Sequence, residues 1–170
     1  MNYECLITGL PEAGEMKMED LEQLLDESLT DKDKKQLRLL KLRSRHGACE
    51  FIKDWLDFTK MVNNVLTAEV CKKHGLDVSK FIVGSMPDEV PAEMEMVKRE
   101  VDLAKREQAI DGVYTAFLER RTEGIYFSLE NVLAYYLQTQ IINRWKPLTT
   151  DNGEQVFREM VADMKKGVSF

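Results

Sequence analysis

Apolar residues recur along most of this chain at intervals of three and four, and hardly anywhere at intervals of two. That spacing stacks side chains on one side of an α-helix and does not suit a half-buried strand. "KMEDLEQLLDESL" carries Leu21, Leu24, Leu25 and Leu29 in helical register, with acids on the other face. "TDKDKKQLRLLKLRSRHG" follows, with Thr30 or Asp31 as its opening cap, Leu37 and Leu40 on the apolar side, and basic residues up to Gly47. The longest stripe runs from about Ala48 to Lys73 and stops at Gly75, a residue suited to the left-handed turn that closes a helix. "DVSKFIVGSM" is a shorter piece leading into a loop around Gly84 and Pro87. Length alone leaves "YECLITGLPEAG", an apolar run closed by Gly9, Pro11 and Gly14, open between one short N-terminal strand and a brief helix.

Pro91 sits where a first-turn proline belongs, and "AEMEMVKREVDLAKREQAIDGVYTAFLERRTEG" continues with Gly112 as its single breaker. Met94, Val97, Val101 and Ala104 keep the helical interval, and Ile110, Val113, Tyr114 and Phe117 continue it. The pattern predicts one long helix, packed along much of its length and kinked or slipped near Gly112. Ser128 caps "LENVLAYYLQTQIINRW", which Pro147 ends, and "GEQVFREMVADMKK" makes a last helix. The expected fold is an all-α bundle of about six helices in a single domain, residues 1–170. Residues 1–47 form its N-terminal helical segment and 48–170 its core.

Within the longest stripe, Phe51, Trp55, Phe58, Thr59, Val62 and Leu66 form one apolar face, with Ile52 and Val65 at its margins. Two adjacent asparagines interrupt mid-span, although asparagine is a mediocre helix former. Asn63 falls at the edge of the apolar face, and Asn64 on the far side, in line with Asp57 and close to Lys53 and Lys60. The pattern therefore predicts one helix over 51–73, buried through Phe51, Trp55, Phe58 and Val62, with Asp57 and Asn64 exposed. Glu69 projects back towards the apolar face and needs a basic partner. The line of Asp57, Lys60 and Asn64 is either a solvated face or a surface that meets a partner protein.

Composition narrows the function classes. With 170 residues, 44% hydrophobic and 32% charged, the chain can bury a core beneath a charged surface. A net charge of −6 and a pI near 5.1 argue against nucleic-acid binding, which needs a basic footprint. No run approaches the roughly 18 apolar residues of a membrane span, and no basic leader precedes an apolar core at the N-terminus. Three cysteines, Cys5, Cys49 and Cys71, form no tight framework and suit a reducing cytoplasm.

The candidate chemistry is thin. "GLPEAGEM" sets Gly9 and Gly14 at the spacing of a phosphate loop, but Glu15 stands where the lysine belongs and would repel phosphate. "HGAC" and "CKKH" supply His46, Cys49, Cys71 and His74, a Cys₂His₂ set. The two pairs fall near opposite ends of one helix spanning about 35 Å, so they cannot meet around one ion unless it breaks. Neither histidine lies in a nucleophile motif, and the acids are scattered over helix faces. The expectation is a protein that is not an enzyme, with no cofactor, metal or small-molecule substrate.

Three stretches carry a resemblance: "FIKDWLDFTKMVNNVLTAEVCKKHGLDVSKFI", "REQAIDGVYTAFLE" and "FSLENVLAYYLQTQIINRWKPLTTDNGEQVFREMV". Over residues 51–166 the chain resembles a bacterial family of unknown function encoded beside the components of V/A-type ATPases. "YECLITGLPE" resembles that family's start, while the segment between residues 30 and 50 is shorter than the family's. More distantly, the same pieces resemble the C-type rotor component of these ATPases, the d-type component of eukaryotic V-ATPases. Asp57, Asn64, Leu66, Lys72, Lys73 and Gly75 can be laid on its repeated helical pattern, with Asn143, Arg144 and Gly153 as a second copy. Thr67 stands where the C-type component has an arginine. The resemblance implies a non-catalytic, all-helical component that couples the central rotor shaft to the membrane proteolipid ring in ATP-driven ion transport. The alternative is a helical adaptor or assembly factor absent from the finished rotor. Either role implies partners in the central stalk and the proteolipid ring, and a cytoplasmic protein held peripherally at the inner membrane through them. The expected partner surface is Asp57, Lys60 and Asn64, with Arg120, Arg121 and Arg144 near the ends of two other helices.

Overall fold

The computed structural model describes residues 2–87 and 89–146, which form seven α-helices and one 3₁₀ turn with no strand among them. In chain order the helices are α1 (Tyr3–Thr8), α2 (Met18–Ser28), α3 (Asp31–Lys41) and α4 (Glu50–His74). After the 3₁₀ turn Val78–Lys80 come α5 (Glu93–Arg99), α6 (Leu103–Thr122) and α7 (Leu129–Asn143). The all-α expectation holds for these residues. Pro147 and the last predicted helix lie outside them.

Local chemistry explains most of the boundaries. The ambiguous N-terminal run is helix α1, opened by the Asn2 side chain, which accepts the Cys5 N–H. Thr30 caps α3 by accepting from Asp33 N–H, and Ser128 caps α7 in a reciprocal pair with Asn131. One boundary overturns the sequence reading. The long helix expected after Pro91 is broken at Glu100–Asp102, and its second part continues as one helix past Gly112. The Glu100 carboxylate accepts the N–H groups of Val101 and Asp102, and the Asp102 carboxylate then accepts Lys105 N–H. Two acids thus take the donors that would have continued α5 and offer a fresh start to α6. Met94 and Val97 are buried as the stripe requires, but Val101 is 90% exposed.

Two apolar clusters result. The larger joins α1, α2, α3 and α7 to the first turns of α4 and the last turns of α6, around Leu21, Leu25, Phe51, Ile52, Leu118 and Leu133. The smaller holds Val62, Val65, Met94, Val97, Ile110 and Val113. Helices α4 and α6 pass through both, antiparallel. Asp54 pairs with Arg121 and Glu69 with Arg106, so 15 residues separate the two ties on each helix. Between the ties, Phe58 stacks on Phe117 at 4.0 Å, and Trp55 meets Tyr114 edge-on at 5.4 Å. Large rings separate the two helices, and Tyr114 packs against both clusters.

The glycine turn spaced like a phosphate loop serves packing. Gly14 has φ +90, and a Cβ there would collide with Ile142 of α7. The Lys146 ammonium donates to the Gly14 carbonyl, and the Asn143 amide donates to Met16 O at 2.8 Å.

Candidate partner interface

The line on α4 divides in two. Asp57 is exposed as expected and forms ion pairs with Arg45 and Lys60. The Arg45 hydrogen bond is the main reason its carboxyl lies below the usual carboxylate range. Asn64, expected in solvent, is buried, with 4% of its surface exposed. Its amide donates to Val83 O at 3.0 Å and Ser85 O at 3.3 Å, and its Oδ1 accepts Val83 N–H at 3.0 Å. A single side chain thereby supplies strand-like pairing to a loop that has none of its own. This is the physical reason for the correction: the polar side of α4 is covered by residues 83–85, which helical periodicity cannot see. Asn63 remains exposed.

The three arginines are each engaged within the fold. Arg120 pairs with Glu93 at 2.6 Å, tying α6 to α5. Arg121 reaches Asp54 of α4 at 2.9 Å and Glu130 of α7 at 3.1 Å, and the Asp54 bond leads the rise in its pKa. Arg144 holds the buried Asp111 carboxylate at 2.8 and 3.0 Å, with Trp145 Nε1 donating to the same group at 2.5 Å. No contact among the described residues joins these arginines to Asp57, Lys60 or Asn64. Glu69 does find its basic partners, Arg106 at 2.9 Å and Lys73 at 3.0 Å.

The Cys₂His₂ pairs stay apart. His46 and Cys49 precede α4, Cys71 and His74 lie in its last turns, and the 25-residue helix between them is unbroken. No group of three His, Cys, Asp or Glu side chains that could hold a metal occurs among the described residues. No described helix is long and apolar enough to cross a membrane.

Sequence reasoning missed a set of exposed apolar side chains on α5, at its two flanks and in the loop before it. Val83, Met96, Val101 and Leu103 are 66–90% exposed, and Phe81 and Met86 are exposed as well. The signal was present: the stripe through Met94 and Val97 continues to Val101 in the sequence, yet the break at Glu100–Asp102 turns Val101 outward. The same break leaves Leu103 in solvent at the start of α6.

The described residues form an all-helical fold in which several ion pairs tie one helix to another. Residues 86–168, just under half of the chain, match the family model described as "Protein of unknown function (DUF2764)". The match begins in the loop before α5 and covers α5, α6 and α7. No curated protein and no solved structure matches the chain.

Proposed function

We propose that this protein is a non-catalytic component of a V/A-type ATPase, similar to its C-type rotor component, linking the central rotor shaft to the proteolipid ring. The reading rests on the resemblance carried by α4, α6 and α7, and the match to an uncharacterised family over residues 86–168 is compatible with it. The structural observation that supports it is a set of exposed apolar side chains: Met96 on α5, Leu103 at the start of α6, Val101 in the break between them and Val83 in the loop held by Asn64 all stand in solvent. A rigid body with exposed apolar groups rimmed by charge suits docking onto a partner protein. In this reading the central stalk meets that surface, with Asp57, Lys60 and Arg120 as exposed charges that set its orientation.

Affinity purification of the protein from its native cells tests the proposal. Central-stalk and proteolipid components should accompany it in fixed ratio. Val101→Glu with Leu103→Glu should lower that yield without lowering the melting temperature, because both side chains are already in solvent. Asp57→Lys should also lower it, more so at low salt. Recovery with assembly intermediates alone would point to the adaptor role, and recovery of no ATPase component would end the reading.

A further inference from the structure

A cavity of about 400 Å³ opens where α2, α3, α4 and α7 meet, a volume within the range of small-ligand sites. Its floor is apolar and buried: Leu40, Trp55, Leu137 and the ring of Tyr136. Its rim is polar: Lys41, Arg43 and Gln140 are exposed, and Glu22 lies between them and the floor. Glu22 is already committed, since it accepts from the Tyr136 hydroxyl at 2.8 Å and pairs with Lys41 at 2.8 Å. One carboxylate thus answers one cation. The Arg43 guanidinium has no ion pair among the described residues; the same holds for Arg38 and Arg99, but of the three only Arg43 lines this cavity.

The backbone at Arg43 gives a second, independent reason to single it out. Helices α3 and α4 close with the same turn. At the end of α4, Gly75 takes φ 64 and Leu76 N–H returns to Cys71 O at 2.9 Å. At the end of α3, Arg43 takes φ 53, its N–H bonds Leu40 O at 3.0 Å, and Ser44 N–H returns to Leu39 O at 2.9 Å. The turn needs a left-handed residue, for which glycine is free of strain and arginine is not. Arg43 thus stands at the glycine position of a helix-closing turn and on the rim of a cavity, with a charge that meets no ion-pair partner among the described residues.

We infer that this cavity binds a small organic anion: a carboxylate or phosphate held by Arg43 and Gln140, on an apolar body about one ring in size that rests against Trp55 and Leu137. A guanidinium fork suits either anion, and both share the chemistry that matters here. This inference does not depend on the ATPase reading.

The test uses benzoate and phenyl phosphate as probes, with benzyl alcohol and inorganic phosphate as controls. Calorimetry measures the affinity. At least one of the two ring anions should bind saturably with a Kd around millimolar or below, and both controls at least about tenfold more weakly. Arg43→Gly and Arg43→Asn, the second residue at home in a left-handed turn, should each weaken binding about tenfold or more while melting no lower than wild type. Loss of binding without loss of stability separates recognition from a structural role. Undiminished binding by both variants overturns the inference, as does the absence of saturable binding by either ring anion. Inorganic phosphate bound as tightly as phenyl phosphate would also overturn it, because that result marks an adventitious ion only.

Discussion

Helices α4 and α6 cross two environments, and the contrast between them isolates what stabilises each. In the inner half, around Phe51, Ile52 and Leu118, they are covered by α1, α2, α3 and α7. In the outer half, around Val62, Val65, Ile110 and Val113, they are covered by the short α5 and the loop before it. What changes is the supply of apolar surface from elsewhere in the chain. Polar ties add to the thinner cover there: Asn64 to residues 83–85 and Glu69 to Arg106. Each such tie contributes about 1 kcal/mol, against roughly 2–3 kcal/mol for a large side chain fully removed from water. The outer half should therefore open locally before the inner half unfolds.

Trp55→Ala should give the largest effect, about 3–5 kcal/mol, because a nearly buried ring is lost together with its contacts to Tyr114 and Phe117. Urea denaturation should show the loss in the global transition. Met94→Ala removes an equally buried side chain from the outer half. It should act chiefly on amide exchange in α5 and the 81–86 loop and shift the global midpoint less. Equal global losses from the two substitutions would erase the distinction between the halves.

A smaller and more local effect is expected at Asn64. Replacing it with Ala removes all three hydrogen bonds to the 83–85 loop, but the freed backbone groups can turn to water, so the cost should be about 1–2 kcal/mol. Hydrogen exchange should accelerate at Val83 and its neighbours and stay unchanged in α2 and α7. Unaltered protection at Val83 would show that the loop is held by other contacts.

These two halves are not equally legible in the sequence. The inner helices α2, α3 and α7 follow from apolar spacing and, for α3 and α7, from their caps, because their neighbours bury the faces that the pattern predicts. Glu69 is legible too, since a carboxylate aimed at an apolar face requires a cation, and Arg106 supplies it. Asn64 reads wrongly as exposed because the pattern of one helix says nothing about a loop 19 residues later that packs on its polar side. The break after Arg99 escapes the pattern because acids, not glycine or proline, make it. Of the expected partner residues, Asp57 stands on the surface as foreseen. The arginines, by contrast, turn out to be ties between helices, and their carboxylates lie too far away in sequence for spacing to reveal. Arg144→Glu is accordingly a poor surface probe, since it would leave the buried Asp111 facing a like charge.

The smallest expected effect sharpens the contrast through pH. Tyr3 donates to Asp33 Oδ2 at 2.8 Å, tying α1 to α3 in the inner half. Burial, then the hydrogen bond to Asp33 and its negative charge, push the Tyr3 phenol from 10.0 up to about 12. Burial, followed by the Glu22 hydrogen bond, likewise raises Tyr136. In the unfolded chain these phenols ionise near pH 10, while in the fold they remain neutral. Their contribution is therefore fully present below pH 10 and is lost as pH rises towards the folded values. In the outer half the Asn64 and Glu69–Arg106 ties do not titrate in that window, although the Tyr114 phenol, which packs against both clusters, is likewise raised by burial. Thermal melts followed by circular dichroism should show stability falling between pH 10 and about 12. Tyr3→Phe should cost about 1 kcal/mol at neutral pH, since Thr30 still donates to Asp33, and should flatten part of the alkaline loss. If Tyr3→Phe and wild type lose stability along the same alkaline slope, the Tyr3–Asp33 tie is not what holds α1 against α3, and apolar contact through Leu6 and Ile7 holds it instead.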